Sequence, residues 1–164
     1  MVILGIDPGL IATGYGIIEA ESSKKVKLKE AGVIKTKTGE DIAVRLENIY
    51  RNLREIIGEH KPEVLVLEKL YSHYKHPVTS ILMGHARGVA CLAAGVSGIK
   101  LINYPTTRIK KAVTGSGTAS KVQVQGMIQG LLGLREKPEP VDVSDALACA
   151  LTYVNVEFRQ HQKL

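Results

Sequence analysis

The stretch Val2-Ile-Leu-Gly-Ile-Asp-Pro-Gly9 is an apolar run that ends on a carboxylate followed by a turn. Proline fixes φ and glycine permits a reversal, so the chain is expected to turn directly after Asp7. A second apolar run, residues 64–67, also ends on an acid, Glu68. Buried strands usually exclude charge, because an unpaired buried carboxylate is unfavourable. Two strands that each finish on an acid therefore predict a site at their carboxyl ends.

Two further acids stand near the end of the chain, three residues apart at the start of an apolar, alanine-rich segment. The pattern suits a helix N-terminus, and residues i and i+3 share one helix face, so both acids can cap the helix and also bind a ligand. If they meet the acids of the two strands, like charges at close range need a cation. Mg²⁺ prefers oxygen ligands of this kind. The candidate catalytic metal ligands are therefore Asp7, Glu68, Asp142 and Asp145.

The stretch of sequence between Glu68 and Asp142 is mostly basic. Residues 69–135 contain no Asp or Glu, and the whole chain carries a formal net charge of +6 with a pI of about 9.3. Such a surface suits a polyanion, because cations bind phosphates while carboxylates hold metal at the reacting phosphate. The alternative is an ordinary solvated basic face. The candidate nucleic-acid contacts in this block are Arg87, Arg108, Lys110, Lys111 and Lys121.

A chain of 164 residues is expected to form one domain, which we place at residues 1–158 with a short, frayed tail at 159–164. The two cysteines, Cys91 and Cys149, show no metal-ligand spacing and are expected to be buried and reduced. Met1 leads directly into a predicted strand, and no apolar run approaches the ~20 residues that span a membrane. We therefore expect a soluble cytoplasmic protein with no membrane partner.

The order of the predicted elements indicates an α/β fold. Three strands form an antiparallel meander, and later strands alternate with helices, which predicts a mixed sheet flanked by helices. Asp41 and Ser120 are the expected N-caps of two of these helices. The predicted strands are 2–7, 13–20, 26–36, 64–67 and 100–104, and the predicted helices are 41–59, 78–96, 120–132 and 142–156, with a turn or short helix at 107–113.

Several short motifs follow one another along nearly the whole chain. They are Leu4-Gly-Ile-Asp7-Pro-Gly9 with Thr13-Gly-Tyr-Gly16, Leu67-Glu68, Ala86-Arg-Gly88, Gly115-Ser-Gly117 with Lys121-Val-Gln-Val-Gln, and Ser144-Asp145-Ala-Leu-Ala148. Together they resemble the RuvC family of Holliday-junction resolvases, in the ribonuclease H-like nuclease superfamily. The resemblance implies a ribonuclease H-like mixed five-stranded sheet, within a single RuvC-like nuclease domain.

The resemblance also implies a function. It points to a structure-selective endonuclease that resolves four-way DNA junctions in homologous recombination and DNA repair, with 5′-phosphate and 3′-hydroxyl products. It implies a homodimer, whose two sites would nick two strands symmetrically, and contact with the RuvA–RuvB branch-migration complex. The four acids match the family's catalytic metal ligands, and the positions that match its DNA-contacting residues are Tyr71, Lys110 and Lys121.

The chemistry expected at such a site is metal-assisted hydrolysis of a phosphodiester bond. We expect two Mg²⁺ ions per site, which Mn²⁺ could replace, with Asp7 bridging them and a bound water as the nucleophile. The small residues of predicted helix 78–96 suit either close packing with a second copy or simple core packing. Two alternatives stay open at this point: a related nuclease that acts on RNA or other branched DNA, and a non-catalytic junction-binding module.

Overall fold

The computed structural model describes residues 1–69 and 77–161, with side chains described as far as residue 157. The chain folds in the order βββαβαβααα. The strands are β1 (Val2–Asp7), β2 (Ala12–Ser22), β3 (Lys25–Lys35), β4 (Val64–Glu68) and β5 (Lys100–Tyr104). The helices are α1 (Ile42–His60), α2 (Pro77–Val96), α3 (Thr106–Thr114), α4 (Lys121–Leu132) and α5 (Val141–His161).

The five strands form one mixed sheet in the order β3-β2-β1-β4-β5. The pairs β1–β2 and β2–β3 are antiparallel, whereas β1–β4 and β4–β5 are parallel. This confirms the predicted α/β fold with three antiparallel strands followed by parallel ones. Because β1 and β4 are parallel neighbours with Ile6 opposite Leu67, their final residues Asp7 and Glu68 reach the same edge of the sheet.

Helices cover both faces of the sheet, and alternate residues of each central strand enter different cores. Ile3 of β1 packs with residues of α3, α4 and α5, whereas Leu4 and Ile6 pack with residues of α1 and α2. In β4, Val64 and Val66 join the first core, and Leu65 and Leu67 join the second. Burial on both faces explains why these two strands read as continuous apolar runs.

Helix α5 lies unusually close to the sheet because glycines stand beneath it. A Cβ atom at Gly5 would lie 2.0 Å from the carbonyl oxygen of Ala146, and one at Gly14 would lie 2.1 Å from that of Asp142. A Cβ atom at Gly16 would lie 2.5 Å from the Leu147 side chain. Each contact is far shorter than a real Cβ contact, so α5 could not take this position over larger residues.

Two of the predicted caps are confirmed, whereas Asp142 lies within the first turn of α5, which begins at Val141, and two helices are longer than predicted. Asp41 accepts a hydrogen bond from the Ala43 N–H at 2.8 Å, and Ser120 forms a capping box with Gln123. The turn or short helix expected at 107–113 is the helix α3, and α5 continues to His161 rather than stopping near residue 156. The frayed tail at 159–164 stays a prediction.

Helix α2 corrects one expectation of the sequence analysis. Within the described ranges it is long and apolar enough to cross a membrane by length and composition, although we expected no such segment. A single helix of this kind is weak support for a membrane span. The small residues of α2 contribute to the core, since Ala86, Ala90, Ala93 and Ala94 are all buried.

Both cysteines are free, as expected. Cys149 is buried in α5, whereas Cys91 is only half-buried in α2, so the predicted burial holds for one of the two.

Candidate active site

Three of the four predicted acids line one cavity of about 440 Å³ at the carboxyl ends of β1 and β4. Asp7 ends β1, Glu68 ends β4, and Asp145 lies in the second turn of α5. The rest of the lining comes chiefly from α2, α3 and α4. We call this space the carboxylate cavity; its lining also includes Lys69, Thr106, Lys110 and Lys121.

The fold explains why acids so distant in sequence converge here. The parallel pairing of β1 and β4 places Asp7 and Glu68 at one sheet edge. Gly14 of β2 is the register partner of Asp7, and the backbone of Asp142 lies against Gly14. The start of α5 is thereby held beside the end of β1, and Asp145 comes one helical turn later.

The negative charges of the other three acids all act on Asp7. Desolvation by burial, followed by the negative charges of Asp145, Asp142 and Glu68 in that order, raises the pKa of Asp7 to about 7, and the positive charge of Lys121 opposes this rise. Asp142 is not part of the cavity lining, but its charge reaches Asp7. The structure therefore brings all four predicted acids into one electrostatic cluster, with Asp142 at its margin.

One lysine partly neutralises this cluster. The Lys121 ammonium donates a hydrogen bond to Asp145 Oδ2 at 3.1 Å, from the first residue of α4. Desolvation acts to lower the pKa of Lys121, but the carboxylate of Asp145, with those of Asp7 and Asp142, raises it above its usual value. A charged ammonium thus occupies the space beside Asp145.

Glu68 is held by two groups from neighbouring elements. The Thr106 hydroxyl, at the start of α3, donates a short hydrogen bond to Glu68 Oε1. The Arg87 guanidinium, from α2, donates to the Glu68 carbonyl oxygen at 2.6 Å and also to Asn103 Oδ1 in β5. The last residue of β4 is therefore tied to α2, α3 and β5.

The predicted nucleic-acid contacts fall in three different environments. Lys110 and Lys121 line the carboxylate cavity, and Arg108 and Lys111 are exposed on α3. Arg87 is half-buried, and its guanidinium is bonded to Glu68 and Asn103 inside the protein, so its predicted DNA contact stays untested. Tyr71 lies outside the described residues.

A different group has the tightest arrangement of potential metal ligands within the described ranges. Glu30, Glu59 and His60 have ligand atoms within 4.8 Å of one another, on the far side of β2. Both oxygens of Glu30 already have partners: Tyr15 donates a hydrogen bond at 2.6 Å, and His60 Nε2 lies 2.9 Å away. These bonds, that from Tyr15 first, lower the pKa of Glu30 and tie β2 and β3 to the end of α1.

The residues that position the acids were not among the predicted site residues. Gly5, Gly14 and Gly16 bring α5 onto the sheet, and glycines within a strand are a recognised signal for such a close approach. Thr106 had no comparable signal, because its role depends on β5 delivering the start of α3 to the end of β4. Arg87 was identified by its charge and by its place in the motif Ala86-Arg-Gly88, and neither indicates an internal partner.

Comparisons with known proteins agree with the geometry. The family model described as "Crossover junction endodeoxyribonuclease RuvC" matches residues 3–153. A relative of that name from Rhodopirellula baltica is 48% identical over 149 residues, covering 91% of this chain and 83% of the relative. One from Moorella thermoacetica is 44% identical over 164 residues, covering 99% and 97%. The structure of Thermus thermophilus RuvC in complex with a Holliday junction substrate is 31% identical, with a TM-score of 0.91 and coverage of 98% and 96%.

Proposed function

The chain belongs to the crossover junction endodeoxyribonuclease RuvC family, and we propose that it resolves four-way DNA junctions by hydrolysing phosphodiester bonds with a divalent metal. The observation that carries the proposal is the carboxylate cavity, in which β1, β4 and α5 each supply one acid beside Lys110 and Lys121. The relatives described above bear the name of a junction endonuclease, so an RNA-directed nuclease or a non-catalytic module is not favoured.

The residues of the carboxylate cavity suit a hard divalent cation. Burial and the three neighbouring carboxylates raise the pKa of Asp7 to about 7, so a cation bound beside Asp7 would stabilise its charged form. Their donors are all oxygens, the ligands of Mg²⁺ and Mn²⁺. We propose Mg²⁺ as the physiological ion, two per site, held by Asp7, Glu68 and Asp145 with Asp142 at the margin. Bound there, the metal would supply Lewis-acid stabilisation and lower the pKa of a water.

The protein's own groups have separate tasks in this proposal. Asp7 ends a strand whose four central residues are buried, and it would provide the central ligand of the site. Thr106 holds the Glu68 carboxylate in one orientation through its hydrogen bond. Lys110 and Lys121 line the same cavity and are placed to bind the phosphate that is cleaved. The products, by the family's chemistry, are a 5′-phosphate and a 3′-hydroxyl.

Basic residues next to the carboxylate cavity would bind the arms of the junction. Arg108 and Lys111 are exposed on α3, whose other residues Thr106, Ile109 and Lys110 reach the cavity. Phosphate contacts of this kind supply affinity without reading sequence. Tyr71, three residues after Glu68 in sequence, remains a proposed base-packing residue.

A homodimer is the proposed assembly. Helix α2 buries its alanines inside the protomer, but its outer side presents an apolar stripe at helical spacing, made of Val78, Ile81, Leu82, Leu92 and Val96. We propose that this stripe packs against its copy about a two-fold axis, which matches the symmetry of a four-way junction. Contact with RuvA–RuvB and a cytoplasmic location are further proposals that follow from the family, as is a single domain over residues 1–158.

The direct test is cleavage of a synthetic immobile junction with and without Mg²⁺, with nick positions read on all four strands. We expect metal-dependent nicks at symmetric positions on two opposing strands, and no nicks with Asp7→Asn. An equimolar RNA–DNA hybrid serves as the competing substrate. Preferential cleavage of the hybrid, or junction binding with no cleavage at any metal concentration, would overturn the proposal.

A further inference from the structure

Arg87 makes contacts that differ from those expected of a DNA-binding arginine. It is half-buried on α2, and its two terminal nitrogens donate hydrogen bonds to the Glu68 carbonyl oxygen and to Asn103 Oδ1. Both acceptors are neutral oxygens that belong to the ends of adjacent parallel strands. In the register of β4 and β5, Glu68 pairs with Tyr104, the residue directly after Asn103. The guanidinium thus spans the two strand ends that border the carboxylate cavity.

Thr106 completes the arrangement from the other side. The chain passes from Tyr104, the end of β5, through Pro105 into α3, and the Thr106 hydroxyl bonds to the Glu68 carboxylate. Arg87 therefore fixes the backbone of Glu68, and Thr106 fixes its side chain. A further backbone bond, from the Lys69 N–H to the Tyr104 carbonyl oxygen at 2.8 Å, holds the strand pair closed just beyond this point.

We propose that Arg87, together with Asn103 and Thr106, is a positioning residue that orients Glu68 for metal binding and is not a DNA contact. The inference rests on the proposed function, in which Glu68 is a metal ligand. A glutamate side chain has several rotatable bonds, so an unsupported Glu68 would lose rotamer entropy on binding a cation. The planar guanidinium presents two N–H groups at a fixed angle, which a lysine ammonium cannot reproduce.

The proposal predicts a separation between metal affinity and DNA affinity. Removing a group that orients a metal ligand typically lowers metal affinity about 10- to 100-fold. We therefore expect Arg87→Met to raise, by about tenfold, the Mn²⁺ concentration that gives half of the maximal shift in melting temperature. Its junction dissociation constant, measured by fluorescence anisotropy in EDTA, should stay within about twofold of wild type, and its dependence on salt should be unchanged.

Two variants serve as comparisons. Arg87→Lys keeps the charge but loses the paired N–H groups, so it should resemble Arg87→Met in metal affinity; a DNA contact would instead be largely preserved by lysine. Arg108→Met, on the exposed side of α3, should give the opposite result: unchanged metal affinity and weaker junction binding with a smaller salt slope. Excess Mn²⁺ should restore cleavage by Arg87→Met but not the binding defect of Arg108→Met.

A second pair of variants keeps the test decisive if the Arg87 variants fail to fold. Thr106→Val removes the hydroxyl at nearly constant volume and should raise the half-maximal Mn²⁺ concentration, whereas Thr106→Ser should restore it. Wild-type metal affinity in Arg87→Met or Thr106→Val, or weakened junction binding in EDTA by Arg87→Met, would overturn the inference. If wild type itself shows no Mn²⁺-dependent shift, or shows one that Glu68→Gln leaves unchanged, the proposed function fails instead.

Discussion

The carboxylate of Asp7 lies where burial and three neighbouring acids all favour its protonated form. Its position was predictable, because an acid that ends a buried strand is a strong local signal. Glu68 was predictable for the same reason. The sequence pattern could not show that Asp145 lines the cavity and Asp142 does not, because both lie on one helix face. The position of α5 over the sheet decides between them. Arg87 is similar: its charge is visible in the sequence, but its internal partners are not.

Asp7 should make the metal-free protein less stable as pH rises. Its pKa is raised from 3.8 to about 7 in the folded state, so between these values the unfolded chain releases a proton that the folded chain retains. Stability contributed through this group therefore falls with rising pH in that window, at a rate on the order of 1 kcal/mol per pH unit, and levels off above pH 7.

Asp7→Asn removes this dependence and should raise the free energy of unfolding at pH 7 in EDTA, measured by urea denaturation. Asp41→Asn, at the exposed N-cap of α1, is the control. Added Mg²⁺ should stabilise wild type but not Asp7→Asn. If the unfolding free energies of wild type and Asp7→Asn changed equally with pH, the raised pKa of Asp7 would be contradicted.

At the element scale, the position of α5 decides whether a site exists at all. The helix itself was predictable from its apolar, alanine-rich sequence, whereas its distance from the sheet depends on three glycines in two other strands. Helix α3 was only partly recognised, because nine residues with three cations and a preceding proline give a weak periodic signal. The patterns that predict helices and strands are local in sequence, but the distance between a helix and the sheet depends on which residues of the two contact each other.

Gly14→Ala tests this dependence. The added Cβ would lie 2.1 Å from the Asp142 carbonyl oxygen, which is backbone and cannot rotate away, so α5 must shift. We expect a loss of about 1–3 kcal/mol in unfolding free energy, and weaker metal binding. Gly58→Ala in α1 meets nothing within 4 Å and should be neutral or stabilising by up to about 1 kcal/mol. Equal stability of the two variants would refute the close approach of α5.

The outer stripe of α2 gives a second prediction at this scale. Ile81→Asp places a charge at a position that is 60% exposed in the protomer, and should convert a dimer to a monomer in sedimentation velocity. Val44→Asp on α1, at a position that is 53% exposed, is the matched control and should leave the assembly unchanged. A wild-type protein that is monomeric at micromolar concentration, or a dimer insensitive to Ile81→Asp, would count against this interface.

At the scale of the whole molecule, charge is divided between a cluster of acids and a surrounding basic surface. The long interval without acids made this division visible in the sequence. The strand order β3-β2-β1-β4-β5 was not readable there, because alternation predicts strands without saying which neighbours pair. That order places the two acid-bearing strands side by side at the centre of the sheet, so the acids meet.

Junction affinity should therefore fall steeply with salt, by about 10³-fold or more between 50 and 200 mM if six or more phosphates are neutralised. Lys111→Gln should reduce the slope of log affinity against log salt by about one. Lys24→Gln, in the turn between β2 and β3 at the opposite end of the sheet, should leave it unchanged. A flat salt response would exclude a basic surface as the source of affinity.

The proposed nuclease activity requires that acids from β1, β4 and α5 together hold a divalent cation. This binding can be measured by diffraction from crystals grown with Mn²⁺ and recorded near the manganese absorption edge. We expect anomalous density in the carboxylate cavity, in contact with Asp7, Glu68 and Asp145. Density confined to Glu30, Glu59 and His60, or a cavity without manganese at saturating concentration, would contradict it.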